Sequence, residues 1–200
     1  MDKCLLIFIR NPELGKVKKR LASSIGDENA LLIYKKLLSH SFEVTKTVQA
    51  DKHLWYTDKI QQDDIWDPKI YQKHVQPQGD LGFKMKYAFE FAFKKGYKNV
   101  VIIGSDLFDV DKSLIEKAFK LLKHYKIVIG PATDGGYYLL GLQDMNTAVF
   151  ENKIWSSETV FKNTLNDIKS ESVAILEYKN DIDYVEDLEE HPELLKLIKR

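Results

Sequence analysis

The sequence predicts one α/β domain over residues 1–200, built on a mixed, mostly parallel β-sheet. Short apolar runs alternate with longer helical patterns along the whole chain, the order expected of βαβ units. The runs are continuous and rich in Val, Ile, Leu and Tyr, as strands buried on both faces require. Two of them, Ile127–Ile129 and Tyr137–Leu142, lie too close together for a parallel crossover, so one strand there is expected to run antiparallel.

The first strand is Cys4–Ile9, ended by Arg10, and the basic loop after it opens a helix. A helical pattern covers Asn29–Val48, followed by strands at His53–Thr57 and Tyr71–Val75. In Gly82–Lys95 the residues Met85, Ala88, Phe89 and Ala92 fall at i, i+3, i+4 and i+7, a single core-facing stripe. Asp80 is placed to cap that helix. Val100–Ile103 is the next strand, and Asp111 or Ser113 can cap a helix over Lys112–Lys123. The close pair of strands follows, then a helix over Glu158–Lys169 and a strand at Val173–Leu176. Asp183, with Glu186 at the capping-box position, predicts a helix over Tyr184–Glu190. Pro192 suits the first turn of a final helix.

The 30 Lys and Arg residues balance 30 Asp and Glu, so the formal net charge is zero. That balance argues against a nucleic-acid partner held by a general basic field, because phosphate neutralisation needs clustered excess cation. A hydrophobic content of 44% is too rich for intrinsic disorder. Cys4, the single cysteine, sits in the apolar run CLLIFI and reads as a buried small hydrophobe in a reducing compartment. That run is far short of the roughly 20 residues of a membrane span. It has neither a basic leader nor a cleavage site, so no signal peptide is expected and the expected location is the cytoplasm. The histidines show no HxH or HExxH spacing, which with one cysteine disfavours a zinc site. No GxSxG elbow supports a hydrolase of that type. Amphipathic patterning does not separate core from interface, and the oligomeric state stays open.

In an open α/β sheet, ligands bind beyond the carboxyl ends of the strands. Eight of the ten glycines fall in or beside five such segments. The first, Arg10 to Arg20, holds two of the three arginines of the chain along with Lys16, Lys18 and Lys19. The planar fork of Arg suits phosphate oxygens, Lys adds point charge, and N–H groups at a helix start add anion affinity. This loop reads as a phosphate cradle, although it is neither a Walker A motif nor GxGxxG. In the second segment, Gln76 and Gln78 offer amides for a nucleobase edge or sugar hydroxyls. In the third, Asp106 directly follows a buried strand, where a carboxylate needs a partner. Mg²⁺ takes carboxylate oxygens together with substrate phosphate, which makes Asp106 the leading metal-ligand candidate. In the fourth, Asp134 suits sugar hydroxyls and Tyr137 the face of a ring, although Asp-Gly-Gly is also a plain hairpin turn. In the fifth, Asp181 or Asp183 could approach the same metal from the opposite side, while helix capping is the simpler role for Asp183.

In order, the segments RNPELGKVKKRLA, QGDLGFKM, VVIIGSD, VIGPATDGGYYLLGL, IWSSETV and DIDYVEDL cover nearly the whole chain. They resemble the bacterial nucleotide-diphospho-sugar transferase or glycosyltransferase-like family of GT-A (SpsA-like) fold. That group is similar to nucleotidyltransferases acting on molybdopterin or phospholactate. The resemblance implies a three-layer α/β/α, Rossmann-like GT-A fold that binds a nucleotide or nucleotide-sugar over the first loop, with Mg²⁺ or Mn²⁺. Lys16, Lys18 and Arg20 would hold phosphates, joined around the nucleotide by Arg10, Gly15, Gln78 and Gly79. Asp106 would hold the metal with Asp183 as the second acid. Gly135, Gly136, Tyr137 and Trp155 would meet the sugar or acceptor, with Asp134 as a catalytic carboxylate beside Asp106. Lys19 stands where the family usually has Thr, Phe108 where Pro is typical, and Lys84 in place of an Arg. Ser105-Asp106 matches only part of a glycosyltransferase DxD. The expected activity is glycosyl transfer from a nucleotide-activated sugar to a small-molecule acceptor. A nucleotidyltransferase releasing pyrophosphate, or a non-catalytic nucleotide-binding module, is the alternative.

Overall fold

A computed structural model of the chain describes residues 2–198. In chain order the elements are β1 (Lys3–Ile9), α1 (Lys19–Ile25), α2 (Asp27–Thr45), β2 (Asp51–Tyr56), β3 (Tyr71–Val75), α3 (Leu81–Lys94), β4 (Asn99–Ile103), α4 (Lys112–Leu121), β5 (Ile127–Pro131), β6 (Tyr137–Leu142), α5 (Val160–Asp167), β7 (Val173–Ile175) and α6 (Pro192–Leu195). Single 3₁₀ turns occupy Thr147–Val149 and Glu186–Leu188. The strands form a seven-stranded sheet in the order β3-β2-β1-β4-β6-β5-β7. All neighbouring pairs are parallel except those made by β6, which runs antiparallel to β4 and β5. The short turn between β5 and β6 dictates this, since it cannot carry the chain back across the sheet.

Alternate residues of β1 divide the interior in two. Leu5, Ile7 and Ile9 pack in one core with Leu21 of α1, Ile33 of α2 and Ile115 of α4. Cys4 and Leu6 pack in the other with Met85, Ala88 and Phe89 of α3. The sheet is thus covered on both faces, the three-layer α/β/α architecture of the GT-A fold. The α3 stripe reads as predicted, with Met85, Ala88, Phe89 and Ala92 all buried. Asp80 and Asp111 cap α3 and α4, accepting from Phe83 N–H at 2.8 Å and Leu114 N–H at 2.7 Å. Cys4 is buried and free, and burial pushes its thiol far above the ordinary cysteine range. No described helix is long and apolar enough to cross a membrane.

One predicted element is corrected. Residues 184–190 form no α-helix, only the 3₁₀ turn at Glu186–Leu188. Asp183 caps nothing, because its carboxylate is held elsewhere, by Lys18 and Arg20. The cap-like role passes to Asp187, whose Oδ2 accepts from the backbone N–H groups of Asp183 at 2.8 Å and Tyr184 at 2.6 Å.

On β2, beside β3, His53 is fully buried. Its Nδ1 lies 2.9 Å from His74 Nε2, and the rings stack at 5.1 Å. Burial, with His74 and Lys95 nearby, lowers the His53 pKa to about 4, while burial also lowers that of His74. Folded His53 therefore binds its proton more weakly than the unfolded chain does. Its contribution to stability is complete above about pH 6.5 and is lost as pH falls from there toward 4. The expected acid loss is on the order of 3 kcal/mol. Denaturant unfolding of wild type and His53→Phe at pH 7.5 and 4.5 checks it, and the variant is expected to lose less stability than wild type on acidification, the comparison cancelling the opposite effect of groups common to both proteins.

Candidate functional site

β1, β2, β3, β4 and β5 end at one rim of the sheet, and antiparallel β6 begins there. A cleft of about 660 Å³ opens at this rim. The loop after β1 crosses it, and two buried side chains fix where that loop starts. Tyr34 of α2 accepts from Arg10 N–H at 2.8 Å and lies 3.1 Å from Ser105 Oγ, tying the ends of β1 and β4 together. Asn11 donates from Nδ2 to Lys59 O at 2.8 Å and accepts from Asp58 N–H at 3.0 Å, tying β1 to the loop after β2.

Beyond this anchor the loop delivers its cations into the cleft. Lys16 is exposed and pairs with Glu13 at 2.6 Å, which raises its pKa and lowers that of Glu13. Lys18 is turned inward. Its Nζ donates to Asp183 Oδ1 at 3.0 Å and lies 3.2 Å from Asp106 Oδ1. Burial pulls the Lys18 pKa down, but Asp106 and Asp183 outweigh it and hold the ammonium above the usual lysine range. Arg20 Nη1 takes the other oxygen, Asp183 Oδ2, at 3.1 Å, and its guanidinium lies 5.6 Å from the Tyr184 ring centroid. Arg10, Lys19 and Lys84 also line the cleft. They make no ion pair with a carboxylate among the described residues.

Asp106 follows β4 through Gly104 and Ser105. Its carbonyl accepts from Ile182 N–H at 3.1 Å, and this bond seats the 181–183 segment against the β4 loop. Asp181, Asp183 and Asp134 complete the acidic side of the cleft. Burial, and the charges of Asp106, Asp134 and Asp183, push Asp181 up to about 7 against the opposing effect of Lys18. No cluster of three or more His, Cys, Asp or Glu fit to bind a metal alone occurs among the described residues. Asp106 and Asp183 nevertheless fit a hard cation that completes its shell with substrate phosphate, since they converge on one positive group, the Lys18 ammonium.

The opposite wall is aromatic. Trp155 and Tyr137 meet edge to face at 6.3 Å. The indole rests on Gly82 at the start of α3, where a Cβ would lie 2.3 Å from its Nε1. Gly135, at φ +88°, lies flat against the backbone of Glu158, and its carbonyl accepts from Phe161 N–H at 2.8 Å. These close approaches hold the 154–161 segment, and Trp155 with it, against the β5–β6 turn. Asp134 Oδ1 closes the turn itself, accepting from Gly136 N–H at 2.8 Å.

The structure therefore brings Arg10, Lys16, Lys18, Arg20, Asp106, Asp134, Gly136, Tyr137, Trp155 and Asp183 to one cleft. Gln78 lies in an adjoining hollow of about 360 Å³ that shares Arg10, Lys16, Lys19 and Lys84 with it. Gly15, Gly79 and Gly135, all at positive φ, shape the loops and line neither hollow. Gln76 lines the cleft wall. It is buried, and its Nε2 donates to Trp55 O at 3.0 Å and Ile9 O at 3.3 Å, joining strand ends. The tie between Tyr34 and Ser105 was missed. Their only signal was a polar hydroxyl at a position that the helix and strand patterns bury.

The family model described as "Uncharacterized protein conserved in bacteria (DUF2064)" matches residues 39–157, more than half of the chain. No curated protein matches it. Among solved structures, a "putative nucleotide-diphospho-sugar transferase" from Desulfovibrio desulfuricans G20 is 31% identical, with a TM-score of 0.87. That match covers 96% of this chain and 87% of that one. Two more distant structures share the fold. The 4-diphosphocytidyl-2C-methyl-D-erythritol synthase of Anaerococcus prevotii DSM 20548 has a TM-score of 0.61 at 11% identity, covering 97% of this chain and 96% of that one. A Mycobacterium tuberculosis H37Rv protein in complex with manganese has a TM-score of 0.53 at 11% identity, covering 97% of each chain.

Proposed function

The chain belongs to the DUF2064 family of bacterial proteins, and from that membership and the geometry of the cleft we propose that it is a transferase acting on a nucleotide-activated sugar. The observation that carries this reading is the meeting of Lys18 and Arg20 with Asp106 and Asp183, all within 3.2 Å, from segments far apart in the chain. Such a site pairs cationic donors for a diphosphate with carboxylates for a divalent cation. The 31% identical relative, whose name gives it a nucleotide-diphospho-sugar, supports the choice of donor.

Arg10, Lys16, Lys19 and Arg20 hold the diphosphate and take up the charge that develops on it as the sugar C1–O bond breaks. Mg²⁺ or Mn²⁺, when bound at Asp106 and Asp183, supplies further neutralisation of that leaving group. The acceptor hydroxyl forms the new bond to C1 and gives its proton to Asp134, at the open side of the cleft. Trp155 and Tyr137 offer their faces to the sugar ring, and the small-molecule acceptor enters beside them.

A second reading, nucleotidyl transfer, is favoured by one feature. Lys84 adds a cation that no described carboxylate offsets, beyond the Arg10, Lys16, Lys19 and Arg20 assigned to the diphosphate. The product decides. Incubation with Mn²⁺ and panels of NDP-sugars, NTPs and acceptors is expected to release a nucleoside diphosphate. Pyrophosphate release selects the second reading instead, and release of neither contradicts both.

A further inference from the structure

Lys18 is held unlike any other cation of the cleft. It is a lysine in the left-handed region, φ 46° and ψ 49°, where non-glycine residues rarely sit. Its side chain is 4% exposed, against 64% for Lys16 and 52% for Arg20. The backbone conformation turns the side chain inward, and its Nζ reaches one oxygen of each carboxylate that the reading above assigns to a divalent cation. An ammonium and a metal ion cannot share that position, and like charges a few ångström apart repel strongly at protein surfaces. A diphosphate changes the balance, because its oxygens give the displaced ammonium a partner of the same charge as the one it leaves.

We propose that the Lys18 ammonium occupies the cation position between Asp106 and Asp183 in the nucleotide-free protein, so that a divalent cation enters only together with a nucleotide whose phosphates take over that ammonium. Lys18 thereby couples the two ligands as a positioning residue. The inference rests on the reading given under Proposed function. Binding of either ligand raises the affinity for the other by the same factor, as reciprocity requires.

The test is the affinity for Mn²⁺, followed by the electron paramagnetic resonance signal of the free ion, with no turnover involved. In the wild-type protein, Mn²⁺ is expected to bind at least ten times more tightly with saturating UDP, GDP or inorganic pyrophosphate than without, after correction for Mn²⁺ held by the free phosphate compounds. Lys18→Met is expected to bind Mn²⁺ alone at least ten times more tightly than wild type and to lose most of the coupling. Lys18→Arg is expected to keep it. Equal or weaker Mn²⁺ binding by Lys18→Met overturns the proposal. Should that variant not fold, absence of coupling in the wild-type protein overturns it as well. Failure of all three phosphate compounds to bind, with or without Mn²⁺, is a different result: it removes the nucleotide reading itself, whereas binding without coupling removes only the role of Lys18.

Discussion

Asp106→Asn is expected to lower kcat by at least about 10²–10³ while leaving the fold intact. The Asp106 side chain is 44% exposed at the cleft rim, and its structural tie, the bond from Ile182 N–H, is made by its backbone carbonyl. An amide in place of the carboxylate preserves shape and backbone but removes the charge that would hold the cation, and leaves Lys18 with Asp183 alone. Stability is expected to fall by about 1–2 kcal/mol, because the buried Lys18 ammonium loses one of its two carboxylates and keeps Asp183. Because the proposed cation site draws on both Asp106 and Asp183, Asp183→Asn added to Asp106→Asn is expected to cost little more than either alone. Steady-state turnover with matched thermal unfolding checks both points, and an Asp106→Asn protein with wild-type turnover removes Asp106 from the chemistry.

Gly135→Ala is expected to be the most destabilising single-methyl change in the site. A Cβ at Gly135 would lie 2.0 Å from Glu158 O and 2.4 Å from its carbonyl carbon, both backbone atoms, at φ +88°. Neither the strain nor the overlap can be relieved by a side-chain rotation, so the 154–161 segment must withdraw. The expected loss is about 2–4 kcal/mol, or roughly 5–12 °C in Tm for a chain of this size. Gly136→Ala is the control. Its Cβ would meet only the Asp134 carboxylate, at 3.1 Å, and its backbone is not left-handed, so a much smaller loss is expected. Equal melting temperatures for the two variants contradict the view that Gly135 clamps Trp155 in place.

Much of this site was legible in the sequence because it follows from strand order. A buried apolar run followed at once by Asp106 places a carboxylate at the rim, and the short link between β5 and β6 forces an antiparallel strand that brings Asp134 and Tyr137 to the same edge. The stripe from Met85 to Ala92 gave the face on which α3 packs. The roles within Asp181–Leu188 were not legible, because Asp183 and Asp187 are the same residue type and only tertiary contact with Lys18 and Arg20 decides which one serves the backbone. The ties of Gln76 were not legible for a related reason: only the fold sets its amide nitrogen beside the Trp55 and Ile9 carbonyls at two strand ends. Left-handed Lys18 contradicts local preference altogether, so no propensity could announce it. Misfits of this kind gather at functional sites, where local rules yield to the geometry of the whole.

The most direct measurement is a crystal structure with Mn²⁺ and a nucleoside diphosphate, read from the manganese anomalous signal. The expected result is one peak within coordination distance of the Asp106 and Asp183 carboxylates, with the diphosphate lying over the Lys16–Arg20 turn. A peak remote from both carboxylates, or a diphosphate bound away from that turn, would contradict it.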